Sequence, residues 1–215
     1  MKIAPEGLPF IAAAVALAAL GAYFSWRALP VLVLLAVFVT AFFRDPTREI
    51  PKGDLLVVSP ADGKVVLVVP TPVGHPAGAG STQISIFLSV FDVHINRAPI
   101  AGRITEVSYH PGKFLPAFDD KASLQNEQNR AFIEGPDGRV GFTQIAGLIA
   151  RRIVFRKKAG DLVARGEQVG LIRFGSRTDV FLPEGSTLMV KVGDRVSGGS
   201  SVLARLPEPA RGSNP

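Results

Sequence analysis

The sequence predicts a mainly β domain carried behind an N-terminal pair of apolar helices. Three observations predict it. Residues 8–26 and 28–43 contain no charged side chain. From residue 54 the chain breaks into short runs rich in Val, Ile and Phe, separated by Gly, Pro, Asp and Asn, the punctuation of strands and turns. A seven-residue pattern, Gly-Asp-x-Val-x-x-Gly, occurs at Gly160–Gly166 and again at Gly193–Gly199, each copy reading as turn, short strand and turn.

The first apolar run is long enough as a helix to reach about 28 Å, close to a hydrocarbon core. The second is shorter, so spanning and re-entrant hairpins both remain open. Tyr23 and Trp26 stand where interfacial aromatics stand, and Pro30 suits a first helical turn. A cleaved signal peptide is the alternative for the first run, but a second apolar run follows at once and Glu6 accompanies Lys2 ahead of it. Arg44, Arg48 and Lys52 follow the second run, against Arg27 alone in the connection. The positive-inside rule then places the following domain on the cytoplasmic side of the cell membrane, with the basic cluster near anionic headgroups. The expected organisation is an anchoring hairpin and basic juncture over 1–52, a β-rich domain over 53–206 and a disordered tail over 207–215.

Within the β-rich part, residues 55–58, 64–69, 83–90, 103–109, 130–134, 140–145, 152–156, 168–174 and 179–182 read as strands. Residues 144–150 have a helical alternative, and 114–129 read as a loop with a helical turn. The repeated Gly-Asp pattern suits lipoyl- and biotinyl-carrier-like half-barrels. Composition narrows the chemistry. There is no cysteine and there are three histidines, His75, His94 and His110, whose spacing matches no metal motif; no metal is expected. The net charge of +6 comes from scattered residues without an aromatic-basic surface motif, so no nucleic-acid partner is expected.

Three polar motifs stand out. Ser59-Pro60-Ala61-Asp62-Gly63-Lys64-Val65 is a tight Asp-Gly turn. Asp92-Val93-His94-Ile95-Asn96-Arg97-Ala98-Pro99 closes an apolar strand with polar groups that are costly to bury alone. Phe174-Gly175-Ser176 reads, by itself, as a turn after a strand.

Together these segments resemble the phosphatidylserine decarboxylase family. The juncture Phe42-Phe43-Arg44-Asp45-Pro46 is similar to that family as well, and Gln144–Arg152 resembles its short, archaeal-type branch. The resemblance implies a proenzyme that cuts itself at Gly175–Ser176. The Ser176 hydroxyl attacks the Gly175 carbonyl, elimination from the ester leaves dehydroalanine, and hydrolysis yields ammonia and a pyruvoyl group on residue 176. The products are a large chain, 1–175, and a small chain, 176–215, forming a heterodimer with higher assembly open. The pyruvoyl group then serves as electron sink for decarboxylating phosphatidylserine to phosphatidylethanolamine. Asp62 matches the family's catalytic aspartate and His94 its decarboxylation histidine.

Two positions depart from the longer bacterial members. Arg97 stands where they carry a second histidine used in self-cleavage, and arginine is no base at neutral pH. Either His94 serves both stages or the relay differs, and Arg97 becomes a candidate for the substrate phosphate or carboxylate. Arg177 replaces a threonine and is a candidate for sensing the headgroup, as is His110. Two alternatives stand beside this reading: a membrane-anchored lipoyl-like adaptor, whose coiled-coil heptads are missing, and a decarboxylase of an archaeal-type serine phospholipid.

Overall fold

The computed structural model describes residues 2–115, 125–148, 152–173 and 176–208. Two compact units divide after Thr47. In the first, a 3-10 turn (Pro5–Gly7) leads into α1 (Leu8–Phe24), and α2 (Leu29–Phe42) returns beside it. Pro30 occupies the first turn of α2, where its missing N–H costs nothing. A two-strand ribbon of β1 (Lys2–Ile3) and β2 (Arg44–Asp45) ties the ends together, and the Arg44 guanidinium donates to the Ala41 carbonyl at 2.8 Å. Leu17, Leu20, Val31, Leu34 and Val37 remain exposed, an apolar surface with no partner in water. Pro5–Phe24 is long and apolar enough to cross a membrane by length and composition; Leu29–Phe42 is shorter.

The second unit is built from β3 (Leu56–Val58), β4 (Gly63–Pro70), β5 (Thr82–Leu88), β6 (Ile95–Arg97), β7 (Gly102–His110), β8 (Gln128–Gly135) and β9 (Gly138–Ala146). The chain continues through β10 (Ile153–Phe155), β11 (Leu162–Val163), β12 (Gln168–Ile172), β13 (Ser176–Leu182), β14 (Thr187–Leu188), β15 (Arg195–Val196) and β16 (Val202–Arg205). A large antiparallel sheet runs β11-β7-β8-β9-β13-β5-β4-β15, with two small sheets, β10-β12-β6 and β14-β16-β3.

The two halves of that sheet, β11-β7-β8-β9 and β15-β4-β5-β13, correspond strand for strand, and the hydrogen bonds repeat. Val58 N–H donates to the Pro99 carbonyl and Arg97 N–H to that of Pro60, both at 2.9 Å. Gly166 N–H donates to Ala98, and Gly199 N–H to Ser59, both at 2.8 Å. Asp161 and Asp194 each accept a backbone N–H, from Lys158 and Lys191, at 2.9 Å. The two Gly-Asp-x-Val-x-x-Gly copies therefore supply β11 and β15 at opposite edges of one sheet. The second half of the repeat is invisible to a motif search, because 59–65 and 98–104 share little beyond Pro, Gly and a basic residue. The pseudo-twofold axis passes between Phe142 and Val180, which face each other on β9 and β13. The core around it is aliphatic: Val57, Val65, Ile84, Ile86, Ile104, Ile133, Val140 and Leu182 are buried.

Several strand expectations move. Residues 89–90 and 173 fall outside β5 and β12, while β13 begins at Ser176 rather than at residue 179. Complete ladders to β5 and β9 on both sides hold it extended from its first residue. Gln144–Ala146 end β9 as strand, not helix. Most of the expected helical turn in 114–129, residues 149–151 and the tail from 209 lie outside the described residues.

Candidate active site

Ser176 opens β13 with Leu88 of β5 on one side and Ala146 of β9 on the other. Its side chain is buried, and its Oγ makes no hydrogen bond among the described residues.

Two backbone connections tie the His94 segment to β12 and β5, the strands that precede and flank Ser176 in the chain and the sheet. The backbone carbonyl of His94 accepts Ile172 N–H at 3.2 Å, and Ile172 precedes Ser176 by four residues. From Leu88, the ladder partner of Ser176, a turn closed by Asp92 leads back to His94: the Asp92 carboxylate accepts Ser89 N–H at 2.8 Å and Ser89 Oγ–H at 2.7 Å. His94 is buried, with Nδ1 2.9 Å from the Asp92 carbonyl. A carbonyl only accepts, so Nδ1 is the donor in this contact.

Asp62 approaches from the other side of β5. Gly63 pairs with Val196, and Lys64 with Phe87, so Gly63 lies level with Leu88 and Ser176. Two strand spacings then separate the Asp-Gly turn from Ser176, about 10 Å. A Cβ on Gly63 would overlap the Phe87 carbonyl oxygen, so only glycine lets the turn lie this close to β5. The Asp62 carboxylate accepts Arg48 Nη2 at 2.9 and 2.6 Å and Gly198 N–H at 2.8 Å. Burial nevertheless lifts its pKa above the ordinary aspartate value, and Asp92 adds to the rise; the Gly198 N–H and the Arg48 charge oppose it. The result is a proton acceptor stronger than a free aspartate.

Beneath these groups lies a buried amide cluster. Asn96 Nδ2 donates to Thr178 Oγ1 at 3.2 Å, and Gln144 Nε2 donates to Asn96 Oδ1 at 2.9 Å. Thr178 and Ser176 share a face of β13. Asn96 was within a recognised motif but gave no sign of its role; Gln144 and Arg48 gave none either, since their partners are remote in sequence.

The other expected site residues fall elsewhere. Arg177 is the correction: alternation puts it on the face opposite Ser176. There it is buried, 1% exposed, and engaged with Asp179 at 2.8 Å and Ser85 Oγ at 2.6 Å, an internal ion pair rather than a headgroup sensor. Arg97 is half-buried and donates to the Gly166 carbonyl at 3.0 Å, bracing a turn. His110 is exposed at the end of β7. Gly175 lies outside the described residues.

The sequence profile of the phosphatidylserine decarboxylase family matches residues 35–204. The chain belongs to the phosphatidylserine decarboxylase family. Among its relatives, the phosphatidylserine decarboxylase proenzyme of Zymomonas mobilis is 52% identical over 221 residues, covering 98% of this chain and 89% of the relative. The proenzyme of Symbiobacterium thermophilum is 51% identical and the match covers 96% of each chain. That of Novosphingobium aromaticivorans is 52% identical, covering 96% and 88%. The family matches extend through the helical hairpin as well as the β domain, and they favour the enzyme over the adaptor.

Proposed function

We propose that this family member decarboxylates phosphatidylserine to phosphatidylethanolamine with a pyruvoyl group made from its own Ser176 by cleavage of the Gly175–Ser176 bond. The observation that carries this reading is the Ser176 hydroxyl at the head of β13, buried and without a hydrogen bond among the described residues. A cofactor made in place needs a side chain not spent on structure, and Ser176 Oγ meets that need.

The fold also tolerates the break. After cleavage, β13 still holds full ladders to β5 and β9, β15 pairs with β4, and β16 with β3, so the small chain stays bound to the large one. The pyruvoyl carbonyl would supply the electron sink for the carbon that loses carbon dioxide. His94, fixed in one tautomer by Asp92, presents Nε2 for proton transfer. Asp62, with its raised proton affinity, is the acceptor or orienting carboxylate for self-cleavage. The apolar hairpin anchors the enzyme to the membrane that holds its substrate, with Arg44, Arg48 and Lys52 favouring a cytoplasmic catalytic unit. A serine headgroup on archaeal-type lipid presents the same chemistry to the site.

Intact mass spectrometry of detergent-extracted protein tests the proposal. Two chains, 1–175 and 176–215, the smaller beginning with a pyruvoyl group in place of serine, are the expected result. A single uncut chain that forms no phosphatidylethanolamine from phosphatidylserine vesicles overturns it.

A further inference from the structure

We propose that Arg48 is a positioning residue for Asp62, holding its carboxylate ionised and oriented for self-cleavage, and that docking of residues 48–53 on the β domain sets the arginine in place. This rests on the reading of Asp62 as the acceptor or orienting group in that step.

Three observations carry it. First, one guanidinium nitrogen, Arg48 Nη2, lies within hydrogen-bond distance of both Asp62 oxygens, at 2.9 and 2.6 Å. The two side chains are only 14% and 15% exposed, so water screens the pair weakly. Second, Gly198 N–H takes Asp62 Oδ1 at 2.8 Å. With Oδ1 doubly engaged, the carboxylate cannot rotate without breaking a charge-assisted bond.

Third, the segment carrying Arg48 is fastened down. The Ile50 side chain sits against Gly166 and Gly199, the closing glycines of the two Gly-Asp-x-Val-x-x-Gly copies, and a Cβ on Gly166 would collide with it. Beyond it, Arg165 donates to the Pro51 carbonyl at 2.7 Å and to those of Gly53 and Leu56 at 2.9 and 3.3 Å. Ile50 thus spans both halves of the pseudo-symmetric domain, while Arg48 engages a carboxylate that has no counterpart: the position matching Asp62 is Ala101. A lysine would supply the charge but not the planar donor geometry.

Cell-free synthesis of the full chain in detergent micelles, with cleavage followed by pulse–chase across a pH series, tests the assignment. Arg48→Gln is expected to cleave about tenfold more slowly or worse, the loss of a charge-assisted hydrogen bond. The acid limb of its rate–pH profile is expected to move to higher pH, because Asp62 without the adjacent cation holds its proton longer. Arg48→Lys should recover part of the rate, and added methylguanidinium should partly rescue Arg48→Ala. If Arg48→Gln cleaves at the parental rate with an unmoved acid limb while Asp62→Asn stays uncut, Arg48 is not a positioning residue. If Asp62→Asn itself cleaves and decarboxylates normally, the underlying reading of Asp62 falls and this inference with it. Should Arg48→Gln fail to fold by thermal melt, Arg48→Lys decides: parental rate and limb refute the assignment, and a slowed rate with a displaced limb upholds it.

Discussion

At one end of the β9–β13 pair, Asn96, Gln144 and Thr178 form a buried hydrogen-bonded cluster. At the other end, the pseudo-twofold puts Val57, Leu182 and Val140 in the corresponding places, all in the aliphatic core. The correspondence extends outward. The His94 carbonyl accepts Ile172 N–H, as the Leu55 carbonyl accepts Leu206 N–H at 2.7 Å. Ser176 heads β13 where Gly138 heads β9. One backbone, used twice, therefore holds a polar end and an aliphatic end. Backbone ladders determine where each half's residues stand, and side-chain polarity alone distinguishes the two ends.

The largest expected effect removes the asymmetry at its centre. Ser176→Ala is expected to remain a single chain by mass spectrometry and to form no phosphatidylethanolamine. Next, His94→Ala is expected to lose decarboxylation by about 10²–10⁴-fold, the usual worth of a positioned acid/base group, measured per cleaved molecule; a fully active cleaved variant would remove His94 from the chemistry. Gly63→Ala and Gly102→Ala probe what the two ends share. Each added methyl would overlap a carbonyl oxygen, of Phe87 or of Glu134, so both should lose about 2–4 kcal/mol in denaturant unfolding. Only Gly63→Ala should also slow self-cleavage, since only its turn carries the aspartate. The smallest effect comes from making the polar end resemble the aliphatic one. Asn96→Val alone strands Gln144 and should cost about 1–3 kcal/mol, whereas the triple change to Asn96→Val, Gln144→Leu and Thr178→Val should recover most of that loss. Unfolding midpoints that simply add across the three sites would break the comparison.

Much of the architecture was legible in the chain. The uncharged runs are helices, the apolar runs between Gly and Pro are strands, and the two Gly-Asp patterns are matched edges. Asp62, His94 and Ser176 lie in the segments that resemble the family's motifs. Arg177 was misread because a residue beside Ser176 in sequence points to the other face of an extended strand, a consequence of period-two alternation that needs the strand assignment first. Ser176 reads as part of a turn in the sequence because Gly-Ser is a common turn pair; ladders on both flanks override that local preference.

The sequence by itself determined which segments are apolar enough to anchor, where strands punctuate the domain and which residues belong to the family's motifs, because these depend on composition and local spacing. The tertiary structure decided which distant side chains meet. Arg48 reaches Asp62, Gln144 reaches Asn96, Ile50 covers Gly166 and Gly199, and Ser176 Oγ is buried without a hydrogen bond among the described residues. None of these follows from local preference, since each is set by the register of long-range ladders and by the pseudo-twofold that brings remote segments to one place.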